Sequence, residues 1–313
     1  MFRCGRRHFL AAASLALLQE PFGAPQCRAA AGTAAKTAPG PFRYAICNET
    51  FEDWPLEKAC ALAAQCGYTG LEIAPFTLAE YVTKISAGQR SAIRRTVEKA
   101  GLVVAGLHWL LAKTAGYHLT SPELEVRRRT AQYLGELARL CADLGGTVLV
   151  FGSPKQRDLP PGVPRDVGMG FATEVIRRTL PVLEKTRVTL AIEPLAPSAT
   201  NFITTAEEAM ELVRRVNAPW CRIHLDCRAM ASEATPIPEL LRRHRQHLVH
   251  FHANDPNGQG PGFGKLDFVP ILRTLGEIGY QGWISVEVFD LSPGIERTAR
   301  ESIAYLKRCQ PQP

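Results

Sequence analysis

The chain lacks any run of about 20 consecutive apolar residues, so no segment of its 313 residues suits a membrane-spanning helix in the mature protein. Its nine cysteines include no C-x-x-C pair. Cys4 and Cys27 lie near the N-terminus, and the remaining seven (47, 60, 66, 141, 221, 227 and 309) are an odd number, which argues against a disulfide framework and a structural zinc site. A basic stripe is also missing. The formal charge is +7, but residues 1–36 hold five bases (Arg3, Arg6, Arg7, Arg28, Lys36) against Glu20, which is +4 and leaves +3 for the rest. No nucleic-acid partner is expected from so mild an excess. The glycine-rich stretch Gly260–Gly264 lacks the Lys-Ser/Thr ending of a phosphate loop. With 46% hydrophobic and 21% charged residues, the composition is that of an ordinary globular protein and excludes a disordered or collagen-like one.

What is present begins with Arg6-Arg7, then Phe9-Leu10 and the apolar run Ala11–Leu18, then small residues. That order is the layout of a removable export signal, and RRHFL resembles the twin-arginine pattern. Residues 1–36 are therefore read as signal and linker, with the translocase of that route as a transient partner and a periplasmic or extracellular location. A disordered cytoplasmic tail is the alternative. Oligomeric state is left open by the sequence.

From residue 42 to 310, short β-rich runs alternate with longer stretches of helical period. Eight strand candidates end in Cys47, Ala74, Trp109, Phe151, Glu193, Asp226, Ala253 and Val288. Between them, Gly67, Gly101, Gly145 and Gly279 follow helical segments where a left-handed cap is wanted, and Thr205 with Glu208 has capping-box spacing. Eight βα units in this length predict a single α/β (β/α)8 barrel, with a doubly wound open sheet as the competing topology.

Reacting groups of such barrels gather at the C-terminal ends of the strands. Those ends carry Glu72, His108, Glu193, Asp226, His252 and Glu287. Strands buried on both faces favour Val, Ile and Leu, and buried charge requires a partner or a metal. Glu193, Asp226, His252 and Glu287 together form a hard, oxygen-rich donor set suited to one divalent ion, Mn²⁺, Mg²⁺, Co²⁺ or Zn²⁺. Period-2 alternation turns both His250 and His252 inward; His252, nearer the mouth, is the ligand, and His250 is assigned to a supporting layer. Glu72 and His108 are candidates for substrate contact, with Asn254 a further one. Lys155 and Arg157, after strand four, are candidates for holding an anionic group.

The stretches GLEIAPF (70–76), GLHWLL (106–111), AIEPL (191–195), HLD (224–226), HFHAND (250–255) and SVEVFD (285–290) resemble the sugar isomerase and epimerase superfamily with a xylose-isomerase-like barrel, which includes the ketose 3-epimerases. The resemblance implies that Glu193 and Glu287 exchange a proton on a carbon next to a carbonyl, while Asp226 and His252 are fixed ligands. It implies a small-molecule carbohydrate as substrate. Two family positions differ: Ala229 stands where a histidine is expected three residues after Asp226, and Gly258 where an arginine is expected six after His252. The alternatives kept beside an isomerase or epimerase are a lyase or dehydratase on the same metal site, an abasic-site endonuclease, and an exported sugar-binding protein without turnover.

Overall fold

The structure is a computed structural model and describes residues 42–51 and 53–311; the expected signal and linker, residues 1–36, lie outside the described residues. Eight parallel strands close into a barrel in sequential order: β1 (Arg43–Cys47), β2 (Gly70–Ile73), β3 (Val103–Leu107), β4 (Val148–Phe151), β5 (Thr189–Ile192), β6 (Cys221–Asp226), β7 (Leu248–Ala253) and β8 (Trp283–Val286). Pairing of β1 with β8 completes the ring, which rules out the open sheet. Around it run α1 (Leu56–Cys66), α2 (Ala87–Lys99), α3 (Leu124–Leu144), α4 (Arg165–Thr186), α5 (Ala206–Val216), a one-turn α6 (Cys227–Met230), α7 (Ile237–His244), α8 (Phe268–Glu277) and α9 (Ile295–Cys309). Among the described residues no helix is long and apolar enough to cross a membrane.

Local sequence explains the breaks. Gly67, Gly101, Gly145 and Gly279 all take positive φ, between 67° and 92°, where a side chain would meet its own backbone. The helix start at Thr205 differs in one detail from its spacing. Thr205 accepts a hydrogen bond from the Glu208 amide, but the Glu208 carboxylate accepts from the Thr204 amide at 2.6 Å, so the reciprocal bond lands one residue earlier.

The barrel interior is built in tiers because alternate strand residues point inward. At the bottom, Trp283 fills the centre against Ala45 and Ala105, and Gly70 leaves it room: a Cβ there would stand 2.7 Å from the indole. The Arg43 guanidinium covers the outer side of that ring at 3.8 Å. The middle tier is polar, with Cys47, Glu72, His224, His250 and Ser285 all fully buried. Two register shifts occur there, between Leu71 and Glu72 in the β2–β3 pairing and between Ile223 and His224 in β6–β7. Such irregularities re-aim inward side chains. The top tier opens to the loops after β3, β4, β5 and β8. All seven cysteines of the described residues are free thiols; Cys66 is half-buried and the other six are buried.

Candidate active site

Glu193 and Glu287 each sit just beyond the last paired residue of β5 and β8, Asp226 ends β6, and His252 is the penultimate residue of β7. This stagger brings four donors from neighbouring strands to one mouth. All four are nearly or fully buried. Glu193, Asp226 and His252, together with His224, present ligand atoms within 4.8 Å of one another. Glu287 joins through His252, whose Nδ1 lies 3.1 Å from Glu287 Oε2. Position 152 must be glycine for this to hold, since a Cβ there would collide with the Glu193 carboxylate.

The electrostatics of the cluster are those of crowded negative charge. Burial, and then the Glu287 and Asp226 carboxylates, push Glu193 up to about 8. Burial and Glu287 push Asp226 up to about 6. Burial acts on Glu287 in the same sense, yet His252 and His108 outweigh it and hold that carboxyl below the usual carboxylate range. His252 is likewise desolvated, but Glu72 and Glu287 on its two sides hold it well above an ordinary histidine. A divalent cation among three carboxylates and an imidazole offsets this repulsion, so the donor set fits such an ion.

Most of these candidate donors have a positioning partner. Asp226 accepts from the Ala229 amide at 2.7 Å, capping α6, and from Asn254 Nδ2 at 2.5 Å. Asn254 in turn accepts from the Arg228 amide at 2.9 Å, so it is a brace for Asp226 and is fully buried beside it. Glu72 lies beneath His252: its Oε2 accepts from His250 Nε2 at 2.8 Å and stands 3.1 Å from His252 Nε2. A carboxylate behind a ligand imidazole fixes its ring orientation. His250 belongs to this supporting tier. Arg157 is fully buried rather than facing the cleft; its fork donates to the main-chain oxygens of Glu193, at 2.5 Å, and of Phe151. Burial lowers it to about 10. Lys155 is exposed on the loop.

A small cleft of about 70 Å³ opens above the carboxylates. Glu193, Glu287 and His108 reach it from below, and Trp109, Pro154, Leu195, Ala199 and Phe289 form its walls. Trp109 holds φ at 51°, a costly conformation for a bulky residue, and its indole N–H donates to Glu287 Oε1 at 3.0 Å. His108 bridges two acids, with Nε2 2.8 Å from Glu49 Oε2 and Nδ1 3.3 Å from Glu287 Oε1.

Sequence reasoning passed over Glu49 and His224. Glu49 belongs to a one-turn helix just after β1, and the rule applied to the other seven strand ends finds it two residues past Cys47. His224 shares the inward face of β6 with Asp226, as His250 does with His252 on β7.

Residues 60–309 match the family described as the xylose isomerase-like TIM barrel, and the chain belongs to that family. Among its relatives, D-psicose 3-epimerase of Ruminiclostridium cellulolyticum is 26% identical over 230 residues, covering 72% of this chain and 75% of that one. Fructoselysine 3-epimerase of Escherichia coli O157:H7 is 22% identical over 267 residues, 82% of this chain and 94% of the relative. In solved structures the fold is shared with D-psicose 3-epimerase bound to D-tagatose from Clostridium cellulolyticum H10, at TM-score 0.76 and 20% identity over 86% of this chain and 99% of that one. It is shared equally with 3-keto-D-glucoside 4-epimerase from E. coli, at TM-score 0.75 and 20% identity over 86% and 100%.

Proposed function

We propose that this chain is a divalent-metal-dependent sugar isomerase or epimerase, exported by a twin-arginine route and acting outside the cytoplasm on a small carbohydrate. The observation that carries the reading is the pair Glu193 and Glu287 in one cleft above the Asp226 and His252 donors. Relatives and structural neighbours whose names are sugar 3- and 4-epimerases support the class.

A C–H next to a carbonyl gives up its proton only when the developing oxyanion is stabilised. Glu193, Asp226, His252 and Glu287 would hold the ion, and the chemistry it supplies when bound is Lewis-acid polarisation of that carbonyl. One glutamate removes the proton and the other returns it. Return to the opposite face of the same carbon is epimerisation, and return to the neighbouring carbon is isomerisation. Trp109 and His108 hold the Glu287 carboxylate to its place, and Arg157 anchors the main chain of Glu193. The apolar walls of Trp109, Leu195 and Phe289 keep water from competing for the carbanion.

The test is proton NMR in D₂O with a panel of aldoses, ketoses and keto-glycosides, run on protein that has been chelated and then reloaded with Mn²⁺, Co²⁺, Zn²⁺ or Mg²⁺. Deuterium entering a carbon beside the carbonyl, lost on chelation and recovered on reloading, is the expected result. Exchange indifferent to chelation would overturn the metal-dependent reading, and loss of water with an ultraviolet-absorbing enone would transfer the chain to the lyases.

A further inference from the structure

His224 is the one imidazole of the barrel interior without an evident task. It is fully buried, neither ring nitrogen has a hydrogen-bond partner, and the His250 main chain lies nearby. Leaving both polar atoms of a buried ring unpaired is costly, and a native fold retains such a group for a reason. Its neighbours are already engaged: His250 Nε2 is on Glu72, and His252 stands between Glu72 and Glu287.

The ring is aimed at the donor set. On β6 it shares the inward face with Asp226, and the register shift at Ile223/His224 sets His224 opposite His250 and Asp226 opposite His252. Its Nε2 is 3.6 Å from Glu193 Oε1, too far for a hydrogen bond. Donors around one small divalent ion, with bonds of about 2.1 Å, stand about 3.0 Å apart at right angles and about 4.2 Å apart when opposed. The ligand atoms of Glu193, His224, Asp226 and His252 fall within 4.8 Å of one another, a spacing that small side-chain shifts would close onto one ion.

We propose that His224 is a second imidazole ligand of the divalent ion, approaching from the barrel interior beside Glu193 and Asp226. The proposal rests on the metal reading given above. A neutral imidazole adds a donor without adding to the negative charge of three carboxylates. It also moves preference away from Mg²⁺, which favours oxygen, toward Mn²⁺, Co²⁺ and Zn²⁺.

The experiment is pulsed EPR of the full chain loaded with Mn²⁺ and labelled with ¹⁵N-histidine, with Mn²⁺ affinity measured by chelator competition in parallel. Two imidazole nitrogen couplings are expected in the wild type. His224→Gln loses one of them and binds Mn²⁺ about tenfold or more weakly, whereas His250→Gln keeps both couplings. A wild-type chain that binds Mn²⁺ with a single coupling overturns the proposal while leaving the metal reading intact, as does a His224→Gln chain that keeps two couplings. The wild-type count decides the matter even if the variant fails to fold. A wild type that binds no Mn²⁺, Co²⁺ or Zn²⁺ overturns both.

Discussion

The two halves of the barrel mouth treat their ionisable side chains differently. On the β1–β4 side, the charged groups are matched: Glu72 holds two histidines, Glu49 holds His108, and the Arg157 fork is closed on carbonyls. On the β5–β8 side, Glu193 and Asp226 are pushed up by burial and by the Glu287 carboxylate, and His224 is unpaired. The first half meets most of its charge with partners, whereas in the second Glu287 and His252 are paired and Glu193 and Asp226 have burial and a neighbouring carboxylate against them. A strand-tip charge therefore marks the site only in combination with unmet demand.

The sharpest way to break this comparison is at the carboxylates of the second half. Glu193→Gln and Glu287→Gln are each expected to cut turnover by about 10²–10⁴-fold while circular dichroism stays unchanged. Full activity in either would end the two-carboxylate mechanism. Next comes the scaffold: Glu72→Gln leaves the donors in place but loosens His252, and metal affinity by chelator competition should fall about 10–100-fold. Proton linkage gives a smaller effect. Because Glu193 is raised to about 8, Asp226 to about 6 and His252 well above an ordinary histidine, all three hold protons that a metal must displace, so affinity should rise from pH 6 to 8 and go on rising above. A profile flat across that window means the carboxylates are already ionised. Arg157→Met removes two charge-assisted hydrogen bonds from a fully buried position, and urea denaturation should register a loss of about 3 kcal/mol. Lys155→Ala, on the exposed loop, should leave kcat/KM within about twofold, and a large drop there would restore its expected role in binding an anion.

Much of the architecture was legible because it rests on local signals. The helical segment closed by Gly67 and the strand run ending in Asp226 each coincide with the observed element. Strand ends were harder: the runs through Glu193 and Val288 continue past the last paired residues, Ile192 and Val286, because β-rich composition does not stop where pairing does. The gathering of strand-tip residues at one mouth followed from topology, but what each side chain touches did not. Glu72 and His108 both read as tips of β2 and β3, yet Glu72 pairs with Gly106 inside the barrel and is sealed beneath His252, while His108 lies past the end of β3 and reaches the cleft. Arg157 reads as a surface fork until tertiary structure folds its loop back over the ends of β4 and β5. Such partners are 36 or 180 residues apart in the chain, and no local pattern encodes them.

The distribution of thiols gives the barrel an internal clock. Cys47, Cys60, Cys141, Cys221, Cys227 and Cys309 are buried on β1, α1, α3, β6, α6 and α9, and burial pushes Cys60 up to about 11 and Cys141 and Cys221 up to about 12. A thiol reagent can reach each of them only when its own element opens. The order in which the six are labelled therefore times the opening of the ring, strand by strand and helix by helix, with no probe added to the chain.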